Sequence, residues 1–474
     1  MILKIMPIFG EISYYPFIMK TLRFVAVLAV LTLGISCSQS DPLVVKVEGG
    51  KIKGVQSQAQ DVAVFKGIPY AAPPVGDLRW KKPQPVVAWK GVRDCSEFGN
   101  ISIQLGHDEG SFYWKEFYYM GFPTQSEDCL YLNVYAPAGA VGNSGAKLPV
   151  AMWVHGGAFH NGYSNEITMD GDALAQRGVI LVTINYRLGL MGFLNHPELT
   201  EEGGGTSGGY GMYDQIAALQ WVHDNISVFG GDPDNITVFG QSAGAMSVKN
   251  LVTSPLSKGL IAKAIIQSGG GLNPQSRGGA APAGGQAGYD RTGTNIQQAG
   301  GFADLKAMRA ATPDELKAAV AKVPRGVSYR PHTDGVMLTE SFDEAVWDNS
   351  VADIPYMIGC TAQDMGGLGG SAIDRFADVR DSLSSKPVYK YFFQRNPPGD
   401  DDDPAQDPGA FHSSELWYMF HTLDRSWRPF TKADYELSDR MMDYWTNFCK
   451  YADPKGGWKR STRKTPYTQI LDIK

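Results

Sequence analysis

Gly240-Gln241-Ser242-Ala243-Gly244 places one serine between two glycines, where a short apolar strand passes into a helix-forming run. Residues 236–239 are apolar and β-favouring, and the helical run starts at Ser242. A G-x-S-x-G pattern at a strand-to-helix turn is typical of a nucleophile elbow, in which small neighbours leave the serine hydroxyl exposed. The positive end of the following helix favours negative charge that develops beside the serine. We therefore predict that Ser242 is a nucleophile.

A second glycine-rich turn lies upstream at His155-Gly156-Gly157, directly after the apolar residues 149–154. Two glycines at a strand end leave backbone N–H groups unshielded. Such groups can donate to an oxyanion together with the N–H of the residue that follows the nucleophile. The pattern predicts an oxyanion hole formed by Gly156, Gly157 and Ala243. Taken alone, the same residues are also compatible with a plain glycine-rich turn.

Five further motifs accompany these two turns along the chain. They are Phe65-Lys66-Gly67-Ile68-Pro69-Tyr70-Ala71-Ala72-Pro73-Pro74-Val75-Gly76, Glu127-Asp128-Cys129-Leu130-Tyr131-Leu132-Asn133-Val134, Asn185-Tyr186-Arg187-Leu188-Gly189, Phe229-Gly230-Gly231-Asp232-Pro233 and Trp445-Thr446-Asn447-Phe448. Together with the elbow, and in this order, they resemble the type-B carboxylesterase family, which includes the cholinesterases. The resemblance implies an α/β-hydrolase fold and ester hydrolysis through a Ser-acid-His triad.

The resemblance also implies the other two triad members, because this fold places serine, acid and histidine in that order along the chain. Residues 354–358 form a strand-like run that leads to Asp364, an Asp where the family commonly has Glu. His412 opens a segment similar to the family's His-x-x-Glu-Leu pattern. We predict that Asp364 orients the imidazole and that His412 is the general base and acid. Asp353 and Asp374 stay open as alternative acids, and His421 is expected to be structural.

Along the rest of the chain, strand-like runs alternate with helical segments. We predict strands at 179–184, 262–267 and 388–393, helices at 212–227 and 305–323, and a loop at 269–288. This alternation indicates an α/β fold with a doubly wound, mainly parallel sheet flanked by helices. We expect residues 41–474 to form a single domain. The interval from Asp364 to His412 is 48 positions (412 − 364), which is short for the family and predicts a reduced cap over the site.

Charge and composition exclude several classes of protein. The 474-residue chain has a formal net charge of −6 and no long basic run, which disfavours nucleic acid as a partner. The sequence contains no run of ~20 apolar residues, so it predicts no membrane-spanning helix. The sequence contains no C-x-x-C pair, so we expect neither a metal nor another cofactor.

Residues 1–37 have the features of a secretory signal. Met19 is a candidate start, because Lys20 and Arg23 precede an apolar run at 24–36 that ends at Cys37. Cys37 in this place resembles the lipidation site of a bacterial lipoprotein, with Gly34 where the usual leucine would be. We predict an exported protein, secreted or held at the cell envelope by a lipid on Cys37, and leave a buried N-terminal helix as the alternative. The lipid would be its sole link to a membrane.

The resemblance bears on the cysteines as well. In the family, the Cys of the Glu-Asp-Cys-Leu motif pairs with an upstream Cys, at a position that looks like Ser102 here. Cys95 is the remaining upstream candidate. The sequence therefore leaves two outcomes open, a Cys95–Cys129 disulfide or two buried thiols.

The substrate is the least determined feature. Gln241 precedes the nucleophile where many relatives carry Glu, and the loss of that carboxylate predicts a preference for neutral esters over choline esters. Small-molecule esters and acyl esters carried on glycans are both candidate substrates. Two other functions remain open, a catalytically inactive adhesion protein and a lipase that works at a lipid interface.

Two local features remain outside these predictions. The run Asp400-Asp401-Asp402-Asp403 is expected to be a solvated loop, with calcium binding or attraction of cations as the alternative. The aromatic residues between 112 and 122 are expected to form a packing lid or a wall that contacts substrate.

Overall fold

The structure, a computed structural model, describes residues 41–273, 285–323, 327, 329–365, 369–399 and 409–473. The strands within these residues are β1 (Val44–Val47), β2 (Gly50–Lys53), β3 (Val55–Gln56), β4 (Val62–Pro69), β5 (Val92–Asp94), β6 (Tyr131–Pro137), β7 (Leu148–Val154), β8 (Ile180–Ile184), β9 (Gly231–Gln241), β10 (Lys263–Gln267), β11 (Tyr356–Thr361), β12 (Val388–Phe393) and β13 (Gln469–Leu471). The α-helices are α1 (Asp172–Gln176), α2 (Gly189–Phe193), α3 (Pro197–Glu202), α4 (Tyr210–Asn225), α5 (Ala243–Thr253), α6 (Gln286–Gly300), α7 (Leu305–Ala310), α8 (Pro313–Ala321), α9 (Phe342–Asp348), α10 (Ser371–Leu383), α11 (Leu416–Met419) and α12 (Lys432–Tyr451).

Ten of the strands form one sheet, in the order β13-β12-β11-β10-β9-β7-β8-β6-β4-β3. The strands from β13 to β8 are parallel to one another, and β6, β4 and β3 extend the sheet beyond β8 as antiparallel strands. The order reverses between β7 and β9, because β8 lies on one side of this pair and the later strands lie on the other. Ligands of doubly wound sheets bind beyond the carboxyl ends of the strands at such a reversal. The predicted α/β fold class is confirmed, and it places a site at the ends of β7 and β9.

Side chains of the central strands alternate between two hydrophobic cores, one on each face of the sheet. In β7, Val150, Met152 and Val154 belong to one core, and Ala151 and Trp153 belong to the other. Helices α4 and α5 contribute to the first core and α12 to the second. A parallel sheet needs apolar cover on both faces, and these helices supply it.

The predicted strands at 179–184, 262–267 and 388–393 are found as β8, β10 and β12, and the predicted helix at 212–227 is found as α4. The single helix predicted at 305–323 is wrong, because the segment forms α7 and α8. Pro313 has no backbone N–H and cannot continue α7, but it suits the first position of a new helix. Thr312 and Glu315 close the start of α8 with a reciprocal capping box.

The predicted loop at 269–288 ends earlier than expected, since α6 begins at Gln286, and residues 274–284 lie outside the described residues. The predicted signal segment with Cys37 and the Asp400–Asp403 run lie outside them as well. By its contacts the chain divides into Met1–Pro42 and Leu43–Lys474, and the second unit contains all the elements named above. Within the described part, no helix combines the length and apolar character that a membrane span requires. Between Asp364 and His412, α10 and β12 occupy the described part of the interval.

Candidate active site

Ser242 lies on the turn between β9 and α5, at the reversal of strand order. Its backbone has φ 59° and ψ −124°, a conformation that costs free energy for a residue with a Cβ and that is typical of functional sites. The turn is held because the Ser242 N–H donates to the carbonyl of Gln267 on β10 at 2.9 Å. A Cβ on Gly244 would lie 2.0 Å from the carbonyl oxygen of Val154. The second glycine of the motif is therefore required by the close approach of α5 to the end of β7.

The turn after β7 brings Gly156 and Gly157 against the nucleophile. A Cβ on Gly156 would lie 3.2 Å from the Cβ of Ser242, so the two backbones are direct neighbours. Gly157 has φ 94°, and a Cβ there would lie 2.0 Å from the carbonyl oxygen of Asn161. Among the described groups, neither glycine donates its N–H to a backbone or side-chain acceptor. Ala243 begins α5, where N–H groups have no acceptor within the helix. The three predicted donors therefore lie together, and each has an N–H available.

Asp364 and His412 are in direct contact. Nδ1 of His412 hydrogen-bonds the carboxylate of Asp364, and the two side chains are 4% and 5% exposed. The loops that carry them are joined next to this contact, where the Gln363 N–H donates to the carbonyl of Ala410 at 3.0 Å and Gln363 pairs with Phe411. These hydrogen bonds hold the two loops in register although they are 48 positions (412 − 364) apart.

The carboxyl of Asp364 is stabilised in its charged form. Burial alone would raise its pKa, but the hydrogen bond and charge of His412 outweigh burial and hold the pKa below its ordinary value. The N–H of Met365 donates to the same carboxylate at 2.8 Å. A negative Asp364 beside Nδ1 favours the tautomer in which Nδ1 carries the proton and Nε2 is free to accept one.

The alternative acids lie elsewhere. Asp353 forms an ion pair with Arg380 at 2.7 Å, and Asp374 forms one with Lys390. Both carboxylates are more than half exposed. The structure brings Asp364 to His412, and it does not bring Asp353 or Asp374 there. His421 is bonded through Nδ1 to the hydroxyl of Ser438 on α12 at 2.8 Å.

The second ring nitrogen of His412 faces Gln241, the residue that precedes the nucleophile. Nε2 of His412 lies 3.2 Å from Nε2 of Gln241, and both side chains are buried. With the Nδ1 proton directed to Asp364, Nε2 accepts a hydrogen bond from the Gln241 amide. Gln241 therefore contacts His412 directly, which the sequence motif does not reveal.

A pocket of about 150 Å³ joins these groups. Its polar lining includes Ser242, His412, Gly156, Gly157 and Gln241. Its remaining lining is mainly aromatic and apolar and includes His107, Tyr113, Phe117, Tyr118, Met169, Met365 and Leu416. Part of the aromatic run between 112 and 122 is thus a wall of this pocket. A larger cavity of about 480 Å³, next to Trp80 and Tyr213, contains none of the predicted catalytic residues in its lining.

Two buried acidic residues lie in the segments that carry this wall and His412. Glu116 accepts hydrogen bonds from Arg428 at 3.0 Å and from Trp417 at 2.7 Å, which fastens the π-helical turn Trp114–Tyr118 to α11. Glu415 follows His412 by three positions (415 − 412) and is completely buried, and burial raises its pKa to about 8. Neither residue has a role that the sequence motifs predict. The only signal for Glu415 was its place in the His-x-x-Glu-Leu pattern.

The structure also answers the question left open about the cysteines. Cys95 and Cys129 are both buried free thiols, so the Cys95–Cys129 disulfide is not formed. The Cys129 thiol lies beside Ser102, the position at which the family's partner cysteine was expected. Among the described residues, no group of three or more His, Cys, Asp or Glu side chains is gathered as metal ligands.

The fold and this pocket define an α/β-hydrolase with a serine, a histidine and an acid at the ends of its central strands. A sequence model of the carboxylesterase family matches residues 41–384 and 368–474, and the chain belongs to this family. It is therefore a carboxylic ester hydrolase.

Two relatives and one solved structure illustrate the similarity. The chain is 34% identical to para-nitrobenzyl esterase of Bacillus subtilis (strain 168) over an alignment of 487 residues. This alignment covers 90% of this chain and 94% of the relative. It is 38% identical to fumonisin B1 esterase of Sphingopyxis macrogoltabida over an alignment of 351 residues. This alignment covers 71% of this chain and 59% of the relative. The structure of a thermophilic PNB esterase superimposes with a TM-score of 0.77 at 31% identity and covers 91% of this chain and 96% of that one.

Proposed function

We propose that the chain is a serine carboxylesterase that hydrolyses neutral carboxylic esters through an acyl-enzyme intermediate. The observation that carries the proposal is the contact between Nδ1 of His412 and the Asp364 carboxylate, in a pocket that Ser242 also lines. Ser242 is the nucleophile, His412 the general base and acid, and Asp364 the residue that orients the imidazole. Small-molecule esters and glycan-borne acyl esters both fit this proposal.

The proposed reaction uses each group in turn. Nε2 of His412 takes the hydroxyl proton while Ser242 Oγ attacks the ester carbonyl carbon. The N–H groups of Gly156, Gly157 and Ala243 donate to the oxyanion that forms. When the carbon–oxygen bond to the alcohol breaks, His412 returns the proton to the leaving alcohol. Water then attacks the acyl-enzyme with His412 again as the base, which releases the acid and restores Ser242.

Gln241 takes part in this cycle in two ways. Its amide is bonded to Nε2 of His412 in the resting structure, so Ser242 must replace that hydrogen bond when the proton moves. It also places an uncharged group where a Glu would bring a negative charge. A cationic substrate gains less attraction from a neutral amide than from a carboxylate, which supports the preference for neutral esters.

Covalent labelling tests the nucleophile. An organophosphate should modify Ser242, and peptide mass spectrometry should find one label per chain there, with loss of activity in proportion to labelling. A label on a different serine, with Ser242 unmodified, would contradict the assignment. A para-nitrobenzyl ester is a suitable assay substrate, because a relative is named for that activity.

The preference for neutral esters is tested by a matched pair of substrates. We expect kcat/KM for butyrylcholine to exceed that for 3,3-dimethylbutyl butyrate by less than about tenfold. High salt removes attraction that acts only during encounter, so the comparison is made at low and high salt. A preference for the cation above about tenfold, or ~1.4 kcal/mol, that persists at high salt would contradict the proposal.

A further inference from the structure

One buried carboxylate lines the pocket of Ser242 and has no part in the proposed mechanism. Glu166 is 8% exposed and lies in the pocket wall beside Tyr118 and Met169. None of the described residues that line this pocket is a lysine or an arginine. The protein therefore offers Glu166 no cation at this place, although buried carboxylates are normally paired or hydrogen-bonded.

The two oxygens of the Glu166 carboxyl have different surroundings. Oε1 accepts hydrogen bonds from the Tyr118 hydroxyl at 2.9 Å and from the Tyr163 N–H at 3.2 Å. No group within the described part of the chain donates to Oε2. A ligand in the pocket is left as the partner for this oxygen.

The carboxyl group is held in a fixed place. The Tyr118 ring is stacked on His107, with 4.6 Å between ring centroids, and on Phe122, with 5.2 Å. Because Tyr118 is held by these rings and its hydroxyl bonds Oε1, Oε2 is positioned before any substrate binds. Recognition groups that are positioned in advance lose less entropy when the ligand arrives.

We propose that Glu166 is a specificity-determining residue that recognises a hydroxyl group on the ester substrate. The inference rests on the proposed hydrolysis of esters at Ser242 and names a structural feature of the substrate.

The chemistry of the group favours a hydroxyl over an ammonium. Burial raises the pKa of Glu166 to about 7, so both protonation states are present near neutral pH. A hydroxyl donates to the carboxylate and accepts from the carboxylic acid, so it bonds either state. An ammonium only donates and is matched to the charged state alone. A hydroxyl also agrees with the preference for neutral esters.

Two pairs of esters of nearly equal size test the inference. With the hydroxyl on the alcohol, 2-hydroxyethyl butyrate is compared with propyl butyrate. With the hydroxyl on the acyl group, ethyl 3-hydroxybutanoate is compared with ethyl 3-methylbutanoate. In one of the two pairs, we expect the wild-type enzyme to favour the hydroxyl ester about tenfold in kcat/KM. The ester without a hydroxyl leaves Oε2 of Glu166 without a hydrogen-bond partner in the filled pocket. The pair that responds shows which side of the ester faces Glu166.

Two variants connect that preference with Glu166. Glu166→Met keeps the length of the side chain, removes both oxygens, and should abolish the preference or reverse it. Glu166→Gln keeps an oxygen for Tyr118 and Tyr163 and replaces Oε2 by an amide that donates but does not accept. Its preference for 2-hydroxyethyl butyrate over 2-methoxyethyl butyrate, whose ether oxygen only accepts, should fall toward one. Glu201→Met on the exposed face of α3 is the control, and the thermal unfolding midpoint reports correct folding of each variant.

The outcomes separate this inference from the proposed function. If the wild-type enzyme hydrolyses propyl butyrate but prefers neither hydroxyl ester, the inference is wrong and ester hydrolysis stands. The same holds if the hydroxyl preference survives in Glu166→Met, or if the preference for 2-hydroxyethyl over 2-methoxyethyl butyrate survives in Glu166→Gln. If the wild-type enzyme hydrolyses no ester, the proposed function fails and the inference fails with it. A gain for 2-(dimethylamino)ethyl butyrate that exceeds the gain for the hydroxyl ester and disappears in Glu166→Met would assign Glu166 to cations and overturn the hydroxyl proposal.

Discussion

Ser242 and the glycines that face it lie at the ends of β7 and β9, which are neighbours in the centre of the sheet, whereas Asp364 and His412 lie on loops beyond β11 and β12. We call the first group the nucleophile half and the second the proton-transfer half. Backbone contacts at van der Waals distance define the nucleophile half, since Gly244 touches Val154 and Gly156 touches Ser242. Hydrogen bonds between distant loops define the proton-transfer half. The comparison shows that one active site can combine a part that short sequence motifs mark with a part that only tertiary contacts bring together.

The largest effect is expected from the nucleophile itself. Ser242→Ala should lower kcat by at least ~10⁴ and leave only the catalysis that binding and the oxyanion hole provide. The thermal unfolding midpoint should stay close to that of the wild type, because the change removes one half-buried hydroxyl. Ser350→Ala, on an exposed serine, is the control and should keep full activity. Substantial turnover by Ser242→Ala would show that the chemistry lies elsewhere.

The proton-transfer half is tested next, through Asp364. Asp364→Asn should lower kcat by about 10³ to 10⁴, because the imidazole loses the charge that orients it and stabilises its protonated form. Asp364→Glu should keep much of the activity, since the family commonly uses Glu at this place.

The alternative acids supply matched controls for this test. Asp353→Asn and Asp374→Asn remove carboxylates that are more than half exposed and paired with Arg380 and Lys390, so their activity should stay near that of the wild type. Loss of activity in either, together with a nearly active Asp364→Asn, would reverse the assignment of the acid.

An intermediate effect is expected from the backbone contact in the nucleophile half. Gly156→Ala would place a methyl group 2.8 Å from the carbonyl oxygen of Gln241 and 3.2 Å from Cβ of Ser242. The turn must shift, and a shift of about 1 Å in the donors can lower kcat/KM by ~10²-fold. Gly139→Ala, with no atom within 4 Å of the added carbon, is the control. Wild-type kinetics in Gly156→Ala would indicate that this turn takes no part in catalysis.

The smallest effect concerns Gln241, which connects the two halves. A carboxylate in Gln241→Glu, close to Nε2 of His412, would stabilise the protonated imidazole. The base would then lose its proton at higher pH, so the acid limb of kcat/KM against pH should move up by about one unit. Activity on the acid limb should fall several-fold while activity on the alkaline plateau changes little. Gln241→Met removes the amide without adding charge, and its acid limb should stay in place. If Gln241→Glu and Gln241→Met show the same dependence of kcat/KM on pH, the charge of the Glu side chain does not act on His412.

The nucleophile half could be predicted from sequence because two short glycine motifs mark it. Gly240 to Gly244 and His155 to Gly157 each follow an apolar strand, and the contacts that require Gly244 and Gly156 join these two motifs across the sheet. The parallel sheet was predictable for a related reason, since buried strands and amphipathic helices leave periodic patterns. Where the pattern was overridden, the cause was also local, as in the division of 305–323 at Pro313.

The remaining features depended on residues that are far apart in sequence. The family resemblance pointed to Asp364, but Asp353 and Asp374 stayed open as alternatives until the pairing of Gln363 with Phe411 brought Asp364 to His412. The free Cys129 and its Ser102 neighbour, the anchoring of Glu116 by Arg428, and the exposure of Glu166 to the pocket are likewise set by packing between separate segments. A sequence motif shows which residue types follow one another along the chain. Burial and charge at one atom depend on every segment folded around it, so they could be assigned only once the chain was assembled.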